Sequence, residues 1–131
     1  HVDNVAAFVD KETLMLQMCS DNSEPDHMRL IENRTIAKNF IDTNQLQIEI
    51  VEIPALPFVG SGSDRSVVPY LNFYIGNGFV LVPVTGQRTD DAMLGIIRQV
   101  FTDREVIGLE VGEILAVGGG GIHCITQQIP V

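Results

Sequence analysis

Apolar and polar residues along this chain follow two periods, and their order is the same in two places. Residues 4–10 and 13–19 (NVAAFVD and TLMLQMC) are β-branched, aromatic and aliphatic runs on either side of Lys11-Glu12. Residues 70–75 and 78–84 (YLNFYI and GFVLVPV) repeat the arrangement around Asn77. Runs of this length and composition, broken by turn residues, predict hairpin strands. At an offset of 65, Phe8 matches Phe73, Leu14 matches Phe79 and Leu16 matches Leu81.

A helical pattern follows each hairpin. The first helix is predicted over about 24–42, with Ser23 as cap and Pro25 in the first turn. Ile36 with Phe40, and Ala37 with Ile41, then share a face. The second is predicted over about 90–102, capped by Thr89, with Asp90 and Asp91 at the positive end of its dipole. Met93, Ile96, Ile97, Val100 and Phe101 form its apolar stripe. Each helix leads into a further strand, at 46–53 and at 105–109.

The order strand, strand, helix, strand is thus stated twice, and an α/β fold of repeated strand-strand-helix-strand modules is expected. The first module covers about 3–53 and the second about 70–110, a period of roughly 60 residues. Two such units do not close a ring, and the chain begins with His1 rather than Met. Further modules are therefore expected before His1. The Gly- and Ser-rich stretch within 54–68 reads as an exposed connection, with a lid over a site as the alternative. Residues 111–117 read as a helical turn, and 122–129 as a terminal strand behind four glycines.

Charge narrows the partners. Seventeen acidic side chains against eight basic ones give a net charge of −9, which argues against phosphate-backbone binding. The same excess suits a cationic ligand. No apolar run approaches the roughly 20 residues of a membrane helix, so neither nucleic acid nor membrane is an expected partner. Two cysteines, Cys19 and Cys124, make no disulfide framework and no CxxC motif. A reduced, cytoplasmic setting follows as the expectation.

The chemistry concentrates in GGGGIHC, residues 118–124. Consecutive glycines are conformationally costly, so a positive φ or a close backbone approach to a ligand is expected there. Cys124 follows as a candidate nucleophile. On a strand, His123 would point to the opposite face from Cys124 and make a poor base for it. His1 is the available alternative, and on a strand it shares a face with Asp3. His27, in the first helical turn, is expected to face solvent. A metal site at His1, Asp3, His123 and Cys124 matches no zinc spacing, and neither metal nor cofactor is expected.

HVDNVAAFVD, YLNFYIGNGFVLVPV and GGGGIHCITQQ together resemble the C-terminal part of the agmatine deiminase and bacterial peptidylarginine deiminase family. The likeness runs from His1 to about Gln128, with residues 118–128 as the most specific segment. It implies that 1–131 is the C-terminal portion of a deiminase catalytic domain, part of a pseudo-five-fold α/β propeller. It also implies roles. Cys124 attacks the guanidinium carbon, His1 is the general acid and base, and Asp3 grips the guanidinium nitrogens. The backbone at Gly119, Gly120 and Gly121 approaches the substrate.

The activity implied is hydrolysis of agmatine to N-carbamoylputrescine and ammonia, with peptidyl-arginine as the rival substrate. The family's second carboxylate and aromatic wall would lie upstream of His1, and its glycine before the HxD pair is missing. The 131 residues alone are therefore expected to turn over weakly or not at all. Two other classes remain: a non-catalytic two-module fragment that pairs with itself or with a partner through open strand edges, and a metal hydrolase.

Overall fold

The computed structural model describes residues 1–54, 58–59 and 66–129. Its elements form two three-stranded sheets, each with a helix in the connection to its third strand, so the chain is mixed α/β and built of strand-helix modules.

In the first module β1 (Ala6–Phe8) runs antiparallel to β2 (Thr13–Met18), and α1 (His27–Thr43) leads to β3 (Glu49–Pro54), parallel to β2. A short antiparallel ribbon follows, β4 (Phe58–Val59) with β5 (Ser66–Val67). In the second module β6 (Tyr74–Ile75) is antiparallel to β7 (Phe79–Pro83). Helix α2 (Thr89–Val100) then leads to β8 (Glu105–Leu109), parallel to β7. Helix α3 (Gly112–Val117) precedes the glycine run.

Strands β2 and β7 occupy the same place, central in their sheets, but the matches Leu14–Phe79 and Leu16–Leu81 are one residue out of register: Thr13 and Phe79 are the equivalent pair, accepting the N–H groups of Val9 and Gly76 and standing opposite Glu49 and Glu105. Phe8 and Phe73 are not equivalent either. Phe8 pairs with Leu14, and at the place of that pair the second hairpin has Ile75 with Val80. The first hairpin has a longer connection, so one offset cannot serve both of its strands. Phe8 is exposed and Phe73 buried, as their different places require.

The main core joins both modules. Met15 and Ile53 of the first sheet pack with Val80, Val82 and Val106 of the second, beneath Met93, Ile97 and Phe101. The apolar stripe of α2 is thus buried as its spacing predicts, and Phe101 closes on Phe73 edge-to-face with centroids 5.3 Å apart. Helix α1 differs. Only Leu30 is buried, while Ile36 and Phe40, although on one face, stay exposed beside Val2, Val5 and Leu14. The link of α1 to its sheet is partly polar, through Arg34 on Glu52 of β3.

Both expected helix caps are corrected. Ser23 instead donates to Asp21 at 2.6 Å, and α1 begins three residues later than a Ser23 cap implies, with Asp26 at the cap position. Thr89 is the first residue of α2 rather than its cap. The preceding turn is held by Asp90, a buried carboxylate. It accepts the backbone N–H groups of Gln87 at 2.8 Å and Thr85 at 3.1 Å, and the Tyr70 hydroxyl at 2.6 Å. Burial, with Asp90 alongside, keeps the Tyr70 phenol protonated far above its ordinary range.

Within 54–68 the expected connection carries the β4–β5 ribbon, since β-branched and aromatic residues flank the Gly-Ser stretch. Residues 55–57 and 60–65, on which the lid reading falls, lie outside the described residues. The terminal strand over 122–129 is not formed. His123–Ile125 is a 3-10 turn, and 126–129 has no regular structure. No described helix is long and apolar enough to cross a membrane.

Candidate functional site

Three short segments meet at the site, and each is a turn. The first is the 3-10 turn Val2–Asn4, placed by the start of β1, where strand alternation had predicted an extended pair. His1 and Asp3 come together because the chain curls there. The second is His123–Ile125, after α3 and the glycines. The third is the bend at Asn72, ahead of β6.

The glycine run is explained by local packing. Helix α3 ends in paired bonds, Gly119 N–H to the Ala116 carbonyl and Gly120 N–H to the Leu115 carbonyl, each at 3.0 Å. This helix ending puts its turning residue in the left-handed region, and Gly119 has φ +85°. Close approach governs the next two. A Cβ on Gly120 would fall 2.9 Å from Cys124 Sγ, and one on Gly121 only 2.5 Å from Asn72 Cβ. The close approach at Gly120 and Gly121 is to the chain's own Cys124 and Asn72.

Asn72 is fully buried and ties the cysteine turn to the second module. Its carbonyl accepts the His123 N–H at 3.0 Å, and its Oδ1 accepts the Cys124 N–H at 3.1 Å. Both amides open a short helical turn and have no partner within it, so Asn72 supplies what the turn lacks. Sequence reasoning gave Asn72 no role. The available signal was a polar residue inside the apolar run PYLNFYI, where burial demands a partner.

Cys124 is exposed and its Sγ donates to Asp3 Oδ2 at 3.3 Å. The same oxygen receives His123 Nδ1 at 3.0 Å. His123 is therefore not turned away from Cys124. In a 3-10 turn consecutive side chains do not alternate between two faces, and both reach one carboxylate. Polar atoms of His1, Asp3 and Cys124 all lie within 4.8 Å of one another, so the structure brings together the three residues singled out at opposite ends of the chain. Such spacing admits a small ion, and the contact present within it is the hydrogen bond from the Cys124 thiol to Asp3.

Partial burial pushes the Asp3 carboxyl up, but hydrogen bonds from His123 and Cys124, with Asn72, outweigh it and leave the group below the usual carboxylate range. The Asn72 contribution acts at longer range, since neither its Nδ2 nor Asp3 Oδ1 has a direct partner. Asp3 is thus an ionised carboxylate at neutral pH beside an exposed thiol and two imidazoles. His27 is elsewhere. It is half-buried, with Nδ1 at 2.8 Å from the Cys19 carbonyl, rather than facing solvent as expected.

Fold and site define a modular α/β protein with a cluster of thiol, carboxylate and imidazole where segments from the start and end of the chain meet. The model of the Porphyromonas-type peptidyl-arginine deiminase family matches residues 1–130, and the chain belongs to that family. A Streptomyces coelicolor protein provisionally named agmatine deiminase is 38% identical over 99% of this chain and 38% of its own length. The provisionally named arginine deiminase of Porphyromonas gingivalis superposes with a TM-score of 0.88 at 32% identity, over 99% of this chain and 38% of that one. The agmatine deiminase of Enterococcus faecalis gives 0.86 at 26% identity, over 99% and 40%. The chain spans about two fifths of the length of the curated relatives it matches.

Proposed function

We propose that this chain carries the nucleophilic end of a guanidine-hydrolysing deiminase that acts on agmatine. The observation that supports it is the convergence of Cys124 Sγ, Asp3 and His1, three groups whose chemistry suits a guanidinium. A guanidinium is planar and stays charged at physiological pH. Asp3, held ionised, would accept its N–H groups in charge-assisted bonds. The cation beside Cys124 favours the thiolate.

In this reading the thiolate forms a bond to the guanidinium carbon. The bond from that carbon to a terminal nitrogen breaks, and the nitrogen leaves as ammonia with a proton from His1. An S-alkylthiouronium remains on Cys124. His1 then takes a proton from water, whose oxygen attacks the same carbon. The C–S bond breaks, and N-carbamoylputrescine departs. Gly119, Gly120 and Gly121 bring backbone close to the substrate, and no metal or other cofactor takes part. The two modules belong to a pseudo-five-fold propeller whose remaining modules, with a second carboxylate, complete the site. The setting proposed is cytoplasmic.

The family model carries the name of peptidyl-arginine, which favours a second substrate for the same chemistry. Ammonia release from agmatine and from an arginine peptide, by an enzyme in which this segment is joined to the remaining modules, with and without Cys124→Ser, tests both. Release from agmatine that is lost in the variant, with the fold intact by circular dichroism, is the expected result. Undiminished release in Cys124→Ser overturns the nucleophile, and preference for the peptide overturns the substrate.

A further inference from the structure

We propose that His123 is the positioning residue of Asp3: by donating into Oδ2 it occupies the oxygen that would otherwise hold the Cys124 proton, and so sets how readily Cys124 becomes a thiolate. The inference deepens the proposed site by taking Cys124 as its reactive thiol, but it does not depend on the identity of the substrate.

Geometry carries it. His123 Nδ1 and Cys124 Sγ reach the same atom, Asp3 Oδ2, at 3.0 and 3.3 Å. The other carboxylate oxygen, Oδ1, is buried with no hydrogen-bond partner, so Oδ2 alone serves both donors. Two donors on one oxygen compete for its electron density. A strong bond from the imidazole weakens the pull on the thiol proton, and a protonated ring also offsets the carboxylate charge that opposes a neighbouring thiolate. The backbone supports this placement without needing the ring, since the His123 and Cys124 amides are both held by Asn72. The His123 side chain is about half exposed, so it contributes little to the core.

The charged groups facing Cys124, among the described residues, are few. The turn at the chain start offers Asp3 and His1. The cysteine turn offers His123, and the bend before β6 offers only neutral Asn72. Removing His123 leaves Asp3 bonded to the thiol, with its negative charge unopposed from that side.

The test is alkylation of Cys124 by iodoacetamide across neutral pH, read by mass spectrometry on the peptide that carries it, so that buried Cys19 does not interfere. His123→Ala is expected to slow the reaction by about threefold or more, the scale of losing one partly exposed charge-assisted contact, and to displace its pH profile upward. His123→Asn, which keeps an N–H donor near the Nδ1 position, is expected to recover most of the rate. Asp3→Asn is expected to speed alkylation, and in that background His123→Ala should have no further effect. Wild-type rates in His123→Ala, a loss of equal size with Asp3 already replaced, or slower alkylation in Asp3→Asn would each overturn the proposal. The readout needs no substrate, so it is independent of whether the protein hydrolyses agmatine.

Discussion

Gly121→Ala is the sharpest probe of how the site is held. The added Cβ would fall 2.5 Å from Asn72 Cβ, 2.6 Å from Oδ1 and 2.8 Å from Cγ. Ordinary contact begins at 3.4 Å, so the two segments must part by about 0.9 Å. Asn72 has nowhere to go, being fully buried. The shift acts along the contact that holds the Cys124 amide, now 3.1 Å from Oδ1, and would stretch it beyond hydrogen-bond range. Overpacking costs about 1–3 kcal/mol and the lost bond about 1 kcal/mol more, for a total of roughly 2–4 kcal/mol. Displacing a nucleophile by about 1 Å costs on the order of a hundredfold in rate. Thermal or urea unfolding reads the first effect, and turnover by the enzyme with its remaining modules the second. A variant within about 0.5 kcal/mol of the parent and within twofold in rate would refute this picture of Gly121 packed on Asn72.

Two other substitutions test neighbouring parts of the fold. Asp90→Ala strands the Tyr70 hydroxyl and the Thr85 and Gln87 amides, and is expected to destabilise by on the order of 3–5 kcal/mol in urea unfolding, with Tyr70→Phe costing about 1–2 kcal/mol. Gly95→Ala places a methyl in open space inside α2, and is expected to raise stability by up to about 1 kcal/mol, seen as a higher melting temperature.

The modules were legible because two local signals agreed. The stripe of α2 and the aliphatic runs of β2 and β7 are set by residues a few positions apart, where periodicity is a direct record of burial. Helix α1 shows the limit of the same signal. Its paired positions do share a face, yet Ile36 and Phe40 remain exposed, because spacing defines a stripe without saying what meets it. The caps failed for a competing local reason. Asp21 is close enough to take both the Ser23 amide and its hydroxyl, which removes Ser23 from the helix start. The site was legible as a list of residue types but not as a geometry. Cys124 and Asp3 are 121 positions apart, and no spacing rule connects them.

The assumption that both reactive segments are strands is what misplaced His123. A strand sends successive side chains to opposite faces, and would have separated His123 from Cys124 while pairing His1 with Asp3. Tight turns behave differently. Three residues per turn, as in a 3-10 segment, bring near neighbours round one corner, so several polar side chains can face a single point. A turn also leaves its first amides unsatisfied, and a lone turn in solvent would not hold its shape for long. Asn72 resolves that by accepting both amides from a buried position in the second module. Gly121 can then lie flat against it, which any side chain would prevent. The polar residue in an apolar run and the glycines before the cysteine are thus one requirement seen from two sides. The cysteine turn is held by a buried asparagine, and that residue can reach it only where there is no Cβ.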